Sequence, residues 1–184
     1  PPLPDNFTIT EDVPEMLLDV RQNGHAYHWT HEWDEDRWRQ YVWAYMRLTE
    51  KVDRRVGLVL DSLEEAGLAD DTVVIFSSDH GDGGASHHWN QKQCLYEESI
   101  RVPMIIMDPR HPQPARVDAG HLVNNGLDLM PTLCDYAGTR PPEGLAGRSL
   151  RPLVEGRDVD WRGHTVVETV FGRHSHPTDK QGRA

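Results

Sequence analysis

Asp79 and His80 stand side by side, and Lys92 follows thirteen positions after Asp79. A carboxylate beside an imidazole can ligate a metal ion, and a lysine further along the same loop can hold an anion. The stretch Ser77-Ser78-Asp79-His80-Gly81-Asp82 comes directly after the apolar run Thr72-Val73-Val74-Ile75-Phe76. That run is rich in β-branched and aromatic side chains, with an acidic turn before it and a glycine-containing turn after it. It predicts a buried parallel strand. In open α/β sheets, ligands bind just beyond the carboxyl ends of such strands. Asp79 and His80 therefore fall where an α/β enzyme places its working groups.

The elements that must position these groups are legible on either side. Pro1, Pro2, Pro4 and Pro14 keep residues 1 to 33 irregular. Asp34-Glu35-Asp36 supplies an acidic helix start, and a long helix is predicted from there to about Glu65. Trp38, Tyr41, Val42, Tyr45, Leu48, Val52, Val56, Leu60 and Leu63 recur at three- and four-residue spacing and form one apolar stripe, expected as core. Gly67 is the expected stop. After the 72–77 strand come a helical turn near Gln93 to Glu98 and a second strand over Val102 to Met107. A Pro-rich loop follows over 108 to 120, then a short edge segment over Val117 to Val123 and a helix over Asp128 to Ala137. Loop is expected over 139 to 162, and a third strand over Thr165 to Val170.

The chain has 184 residues, enough for one domain, and a net charge of -11. That charge argues against nucleic acid or an anionic membrane as partner, but not against an anionic substrate held by a local lysine and a metal. No run of 18 apolar residues occurs, so no membrane-spanning helix is expected. The two cysteines, Cys94 and Cys134, do not make a disulfide framework.

Several motifs carry a resemblance. Asp71-Thr72-Val73-Val74-Ile75-Phe76-Ser77-Ser78-Asp79-His80-Gly81-Asp82 resembles the metal-binding segment of the sulfatases of the alkaline-phosphatase-like superfamily. The glycine-rich loop Gly83-Gly84-Ala85-Ser86-His87-His88-Trp89-Asn90-Gln91-Lys92 follows as it does there. Leu95 to Ile106, with its Tyr-Glu-Glu-Ser-Ile-Arg-Val-Pro core, resembles the next family segment. Asp128-Leu129-Met130-Pro131-Thr132-Leu133-Cys134-Asp135-Tyr136-Ala137-Gly138 resembles a family helix, and Leu145-Ala146-Gly147-Arg148-Ser149-Leu150 a family turn. The likeness runs from about Trp33 to Glu168.

The resemblance implies an α/β fold, specifically a partial alkaline-phosphatase-like sandwich with a mostly parallel central sheet flanked by helices. It implies that residues 1–170 form the second half of a sulfatase catalytic domain. Residues 171–184 would then be a polar tail leading towards the C-terminal subdomain. The activity implied is hydrolysis of sulfate esters to an alcohol and inorganic sulfate, by an intact parent of which this chain is a piece, inactive alone. Asp79 and His80 would be metal ligands, for calcium or alternatively magnesium. Lys92 would contact the sulfate and neutralise the leaving oxygen. His87 would line the pocket or protonate the leaving group, and Trp89 would wall the pocket. The substrate partner would be a sulfated small molecule or glycan, and the compartment periplasmic or secreted. Neither cysteine lies in the family's nucleophile pattern, so the formylglycine is expected in an N-terminal part this chain lacks, with the first metal-binding Asp pair.

Plainer readings stand beside these. Asp79 could cap a turn, Lys92 could be a solvated surface lysine, and Trp89 could be a packed aromatic. Asp82 is expected to orient the loop. Arg101 is expected to pair with Glu97 or Glu98 as scaffold. His25, His28, His31, His174 and His176 have no acidic or cysteine partner at ligand spacing and read as loop histidines. A phosphoester or phosphonate ester hydrolase of the same superfamily is the alternative chemistry, and a non-catalytic module the alternative class.

Overall fold

A computed structural model describes residues 1–9, 12–15, 17–18, 30, 32–111 and 116–169. The five histidines set aside above, and the 171–184 tail, lie outside the described residues. The chain divides into two compact units. Of the described residues, one takes in those within Pro1–Asp53 and His80–Arg101 and those from Val167 to Thr169, and the other those within Arg54–Asp79 and Val102–Val166.

Helix α1 spans Glu35–Glu65 and contributes residues to both units. Asp34 caps its start: the backbone N–H of Arg37 donates to Asp34 Oδ1 at 2.8 Å. Gly67, at φ 67°, ends it, with its N–H donating to the Glu64 carbonyl. The apolar stripe is core only at its first turn. Trp38 is fully buried, whereas Tyr45, Leu48, Val52 and Leu60 are exposed. The expectation of a continuous core stripe is corrected here, because among the described residues no element covers that face beyond its first turns.

In the first unit the core is aromatic. Phe7, Trp33, Tyr41 and His88 all set their rings within 6.0 Å of the Trp38 ring centroid. A second cluster joins Leu17, Trp89 and Cys94, with Val13 and Tyr96 packed against it. The short helix α2, Glu97–Ile100, follows.

In the second unit, β1 (Val74–Ser77) pairs with β2 (Met104–Met107). The pairing is antiparallel, with Ile75 opposite Ile106 and Phe76 opposite Ile105. The buried parallel strand expected over 72–77 is therefore corrected for this pair. Both strands are short, and Phe76, Ile105 and Met107 remain exposed. β-Branched composition favours a strand, but it does not choose the neighbour's direction. Helix α3 spans Asn125–Tyr136, with the Asn124 side chain accepting from the Leu127 N–H at its start. A further turn of helix, α4, spans Arg151–Val154 inside the expected loop. Neither 117–123 nor the described part of 165–170 forms a strand. No helix among the described residues is long and apolar enough to cross a membrane.

Pro131 lies inside α3 and has no N–H to give the carbonyl of Leu127. The chain uses that bare carbonyl as a packing surface. Gly147 lies so close that a Cβ there would sit 1.8 Å from the Leu127 oxygen. The close approach lets the Arg148 N–H reach Asp128 Oδ1 at 2.9 Å. Asp128 is fully buried and also receives the Asn124 N–H and both terminal nitrogens of Arg162. Thr132 Oγ1, equally buried, accepts from the Leu150 N–H. The Asp128 helix and the 145–150 turn, read separately in the sequence, are thus one hydrogen-bonded knot.

Candidate functional site

Asp79 and His80 follow β1 as expected, and Asp79 is exposed. The second unit holds the strand exit from α3: Asn125 Nδ2 donates to the Ser78 carbonyl and, at 3.3 Å, to the Asp79 carbonyl. Among the described residues no three His, Cys, Asp or Glu side chains gather as a cation site.

The first unit carries His80, His87, Trp89 and Lys92. His80 Nδ1 lies 2.9 Å from the Gly81 carbonyl, and Lys92 Nζ lies 2.8 Å from His80 Nε2. A carbonyl only accepts and an ammonium only donates, so Nδ1 carries the ring proton and Nε2 presents its lone pair. A backbone carbonyl on the far nitrogen is what orients a metal-ligating histidine. Asp79 directly precedes His80 in the chain. Lys92 Nζ occupies the Nε2 lone pair here, so the lysine expected to hold an anion and the histidine expected to ligate a metal meet at one point.

His87 is set by three contacts. Its ring stacks on Tyr96 at 4.2 Å and 21°. Its backbone N–H donates to the Asn6 carbonyl at 2.8 Å. Asn6 Nδ2 lies 2.6 Å from Glu98 Oε1 and 3.3 Å from His87 Nε2. A carboxylate cannot donate, so the amide nitrogen of Asn6 faces Glu98. Its second hydrogen then points to Nε2, which leaves the proton of His87 on Nδ1. Burial opposes ionisation of Glu98, but hydrogen bonds led by Asn6 hold its carboxyl below the ordinary value.

Trp89 is only 3% exposed and packs in the second aromatic cluster. Its Nε1–H donates to the Lys92 carbonyl at 3.0 Å, so it braces the lysine's backbone from the core. Burial pushes the Cys94 thiol up, which disfavours the thiolate a nucleophile would need.

The loop bearing these groups is strained. Ala85, His87, His88, Gln91 and Gln93 have φ between 53° and 76°, and no other described non-glycine residue has positive φ. Each such residue costs roughly 1–2 kcal/mol. The strain is held by cross-loop bonds: Gly83 N–H to the Gln91 carbonyl at 2.7 Å and Ala85 N–H to the Trp89 carbonyl at 3.0 Å. Gly81 donates to the Ser99 carbonyl, and a Cβ there would lie 1.9 Å from the Glu98 oxygen. Asp82 orients the loop as expected. Its Oδ1 accepts from the Gly84 N–H at 2.8 Å and from the Tyr41 hydroxyl at 2.6 Å. Burial, then the bond to Asp82 and its negative charge, pushes the Tyr41 phenol far up, so it stays a donor. Arg101 meets Glu97 at 3.8 Å in an exposed pair, the expected scaffold contact.

Asn6, Tyr41 and Asn125 are functional supports that the sequence did not single out. Tyr41 could have been noticed as one of two hydroxyls in a mostly apolar stripe, since a buried tyrosine oxygen needs a partner. Asn6 and Asn125 carry no such signal.

The profile of the family described as Sulfatase matches residues 10–139. The chain belongs to the sulfatase family. It is 34% identical over 181 residues to the delta 4,5-hexuronate-2-O-sulfatase of Bacteroides thetaiotaomicron, covering 97% of this chain and 38% of that protein. The solved structure of a 2-O GAG sulfatase superposes with a TM-score of 0.79 at 34% identity, over 86% of this chain and 35% of that one. The phosphonate monoester hydrolase of Agrobacterium radiobacter superposes with a TM-score of 0.66 at 32% identity, over 71% of this chain and 26% of that one. The fold is part of the alkaline-phosphatase-like α/β fold of these sulfatases. The chain therefore spans well under half the length of the family members it matches.

Proposed function

We propose that the intact enzyme containing this chain hydrolyses sulfate esters of a sulfated glycan or small molecule, and that this chain supplies half of its metal site and the sulfate-holding lysine. The observation that carries the reading is the 2.8 Å contact between Lys92 Nζ and His80 Nε2. It brings a compact cation with three donors to the imidazole that would ligate a metal.

Asp79 and His80 Nε2 would hold the ion, calcium or alternatively magnesium, once Lys92 Nζ has moved off the Nε2 lone pair and onto the sulfate. A metal held there would polarise a sulfate oxygen. Lys92 donates to a second sulfate oxygen and offsets charge developing on the leaving oxygen. His87, whose one ring proton is on Nδ1, would line the pocket and donate a hydrogen bond from there to the leaving oxygen. Trp89 keeps Lys92 at its post from within the core. The nucleophile, a formylglycine in the sulfatases this chain resembles, is not among its residues, so the chain alone is inactive. The exposed faces of α1 and of the β1–β2 pair are the surfaces the remainder of the catalytic domain would cover.

The test is Lys92→Ala in the intact enzyme, assayed on an aryl sulfate and the matching aryl phosphate. Loss of one preorganised donor lowers turnover about 100- to 1,000-fold. Unchanged sulfate turnover would remove Lys92 from the clamp. Turnover of the phosphate in preference to the sulfate would move the chemistry to phosphoester hydrolysis, the reading that the phosphonate hydrolase likeness favours.

A further inference from the structure

The strained loop has one anchor that reaches both of its ends. The Tyr41 hydroxyl donates to Asp82 Oδ1 at 2.6 Å and accepts from the Gln91 N–H at 3.3 Å. Gln91 sits at φ 60°, immediately before Lys92. Left-handed backbone of this kind persists at a non-glycine residue only where surrounding contacts over-determine it, and such clustering marks functional sites. Tyr41 itself cannot drift. Its ring, on the second turn of α1, packs 5.9 Å from both Trp38 on the first turn and Trp33 just ahead of the helix. The hydroxyl is thus a fixed post, set by a helix, to which the entry and exit of the 82–91 loop are both bonded.

We propose that Tyr41 is a positioning residue for Lys92: by tying Asp82 to Gln91 it fixes the backbone from which the Lys92 ammonium reaches His80. This rests on the reading of Lys92 as the sulfate-holding group. Tyr41 touches neither substrate nor metal ligand and acts only through the loop.

Tyr41→Phe keeps the ring and deletes the oxygen, and is made in the intact enzyme alone and with Lys92→Ala. Sulfate ester kcat/KM falls about 10-fold in the wild-type background and less than about 2-fold where Lys92 is already alanine, because residues acting as one unit are not additive. Hydrogen exchange of the peptide covering 83–93 rises, while that of the peptide covering 125–136 is unchanged. Equal losses in both backgrounds, or unchanged exchange over 83–93, would overturn the proposal. If Lys92→Ala alone leaves turnover intact, the sulfate clamp is what fails, and the exchange result still decides whether Tyr41 tethers the loop. Should Tyr41→Phe not fold, Asp82→Asn weakens the same bond from its other end and enters the same cycle.

Discussion

Asp82 and Asp128 each gather a turn around one carboxylate, but they do so with opposite electrostatics. Asp128 is fully buried and neutralised by Arg162, which grips it through both terminal nitrogens at 2.5 and 3.0 Å. Asp82 is half-buried, and its donors are the Tyr41 phenol and the Gly84 amide. A phenol fixes a carboxylate without cancelling its charge. The knot at Asp128 is therefore built for stability. The loop at Asp82 is held by neutral donors alone, on the segment that carries His80 and Lys92.

Removing each acid should break that comparison most sharply. Asp128→Ala leaves Arg162 as an unpaired buried cation and should cost about 3–5 kcal/mol of stability. Asp82→Ala strands only neutral donors and should cost about 1–2 kcal/mol, while lowering turnover far more than Asp128→Ala does among molecules that remain folded. Urea unfolding and steady-state assay of both variants in the intact enzyme measure the contrast. Equal stability losses would show that the two carboxylates do the same job.

Next in size come the two close-approach glycines. Gly147→Ala and Gly81→Ala each drive a methyl group into a backbone carbonyl, at 1.8 and 1.9 Å respectively. Backbone must move in both cases, at about 1–3 kcal/mol each. Thermal unfolding should register both, and activity loss beyond the stability loss should appear only for Gly81→Ala.

A smaller effect is confined to acid. Burial opposes ionisation of Asp108, but hydrogen bonds from Arg110 and His111 outweigh it and hold the carboxyl at about 2 against an ordinary 3.8. The folded value is the lower one, so the stabilisation is present at neutral pH and is lost as pH falls from about 4 towards 2. Asp108→Asn should narrow the gap between the urea midpoints at pH 6 and pH 3; an unchanged gap would assign the acid limb to other carboxylates.

The smallest effect is expected at Arg101. Its pair with Glu97 is long and both side chains are more than 70% exposed, so Arg101→Ala should change stability by less than about 0.5 kcal/mol. A larger loss on chemical denaturation would mean that the arginine braces α2 in the intact enzyme.

Much of this was legible before any coordinates. The long helix ends at Glu65 as its periodicity and Gly67 predict, and the helix containing Asp128 falls within a few residues of its expected bounds. Asp79 and His80 come just after β1, where the β-branched run puts them. The strand direction was not legible, since hydrogen-bond polarity between β1 and β2 depends on how the chain returns. The missing third strand over 165–169 shows the same limit: Val166 and Val167 have strand composition but no partner strand among the described residues. The exposure of Leu48 and Val52 was equally hidden, because periodicity reports that a face is apolar and not what lies against it.

By itself the sequence determined which residues could do chemistry and which family they belong to, because side-chain type and local order are written directly in the chain. Only the tertiary structure decided how those residues are held. The neutral post at Tyr41 and the buried neutralisation of Asp128 depend on groups tens of positions apart, and the proton on His80 Nδ1 depends on Gly81 and on Lys92 twelve positions on. Hydrogen-bond geometry falls off over fractions of an ångström, and no spacing rule along the chain encodes it.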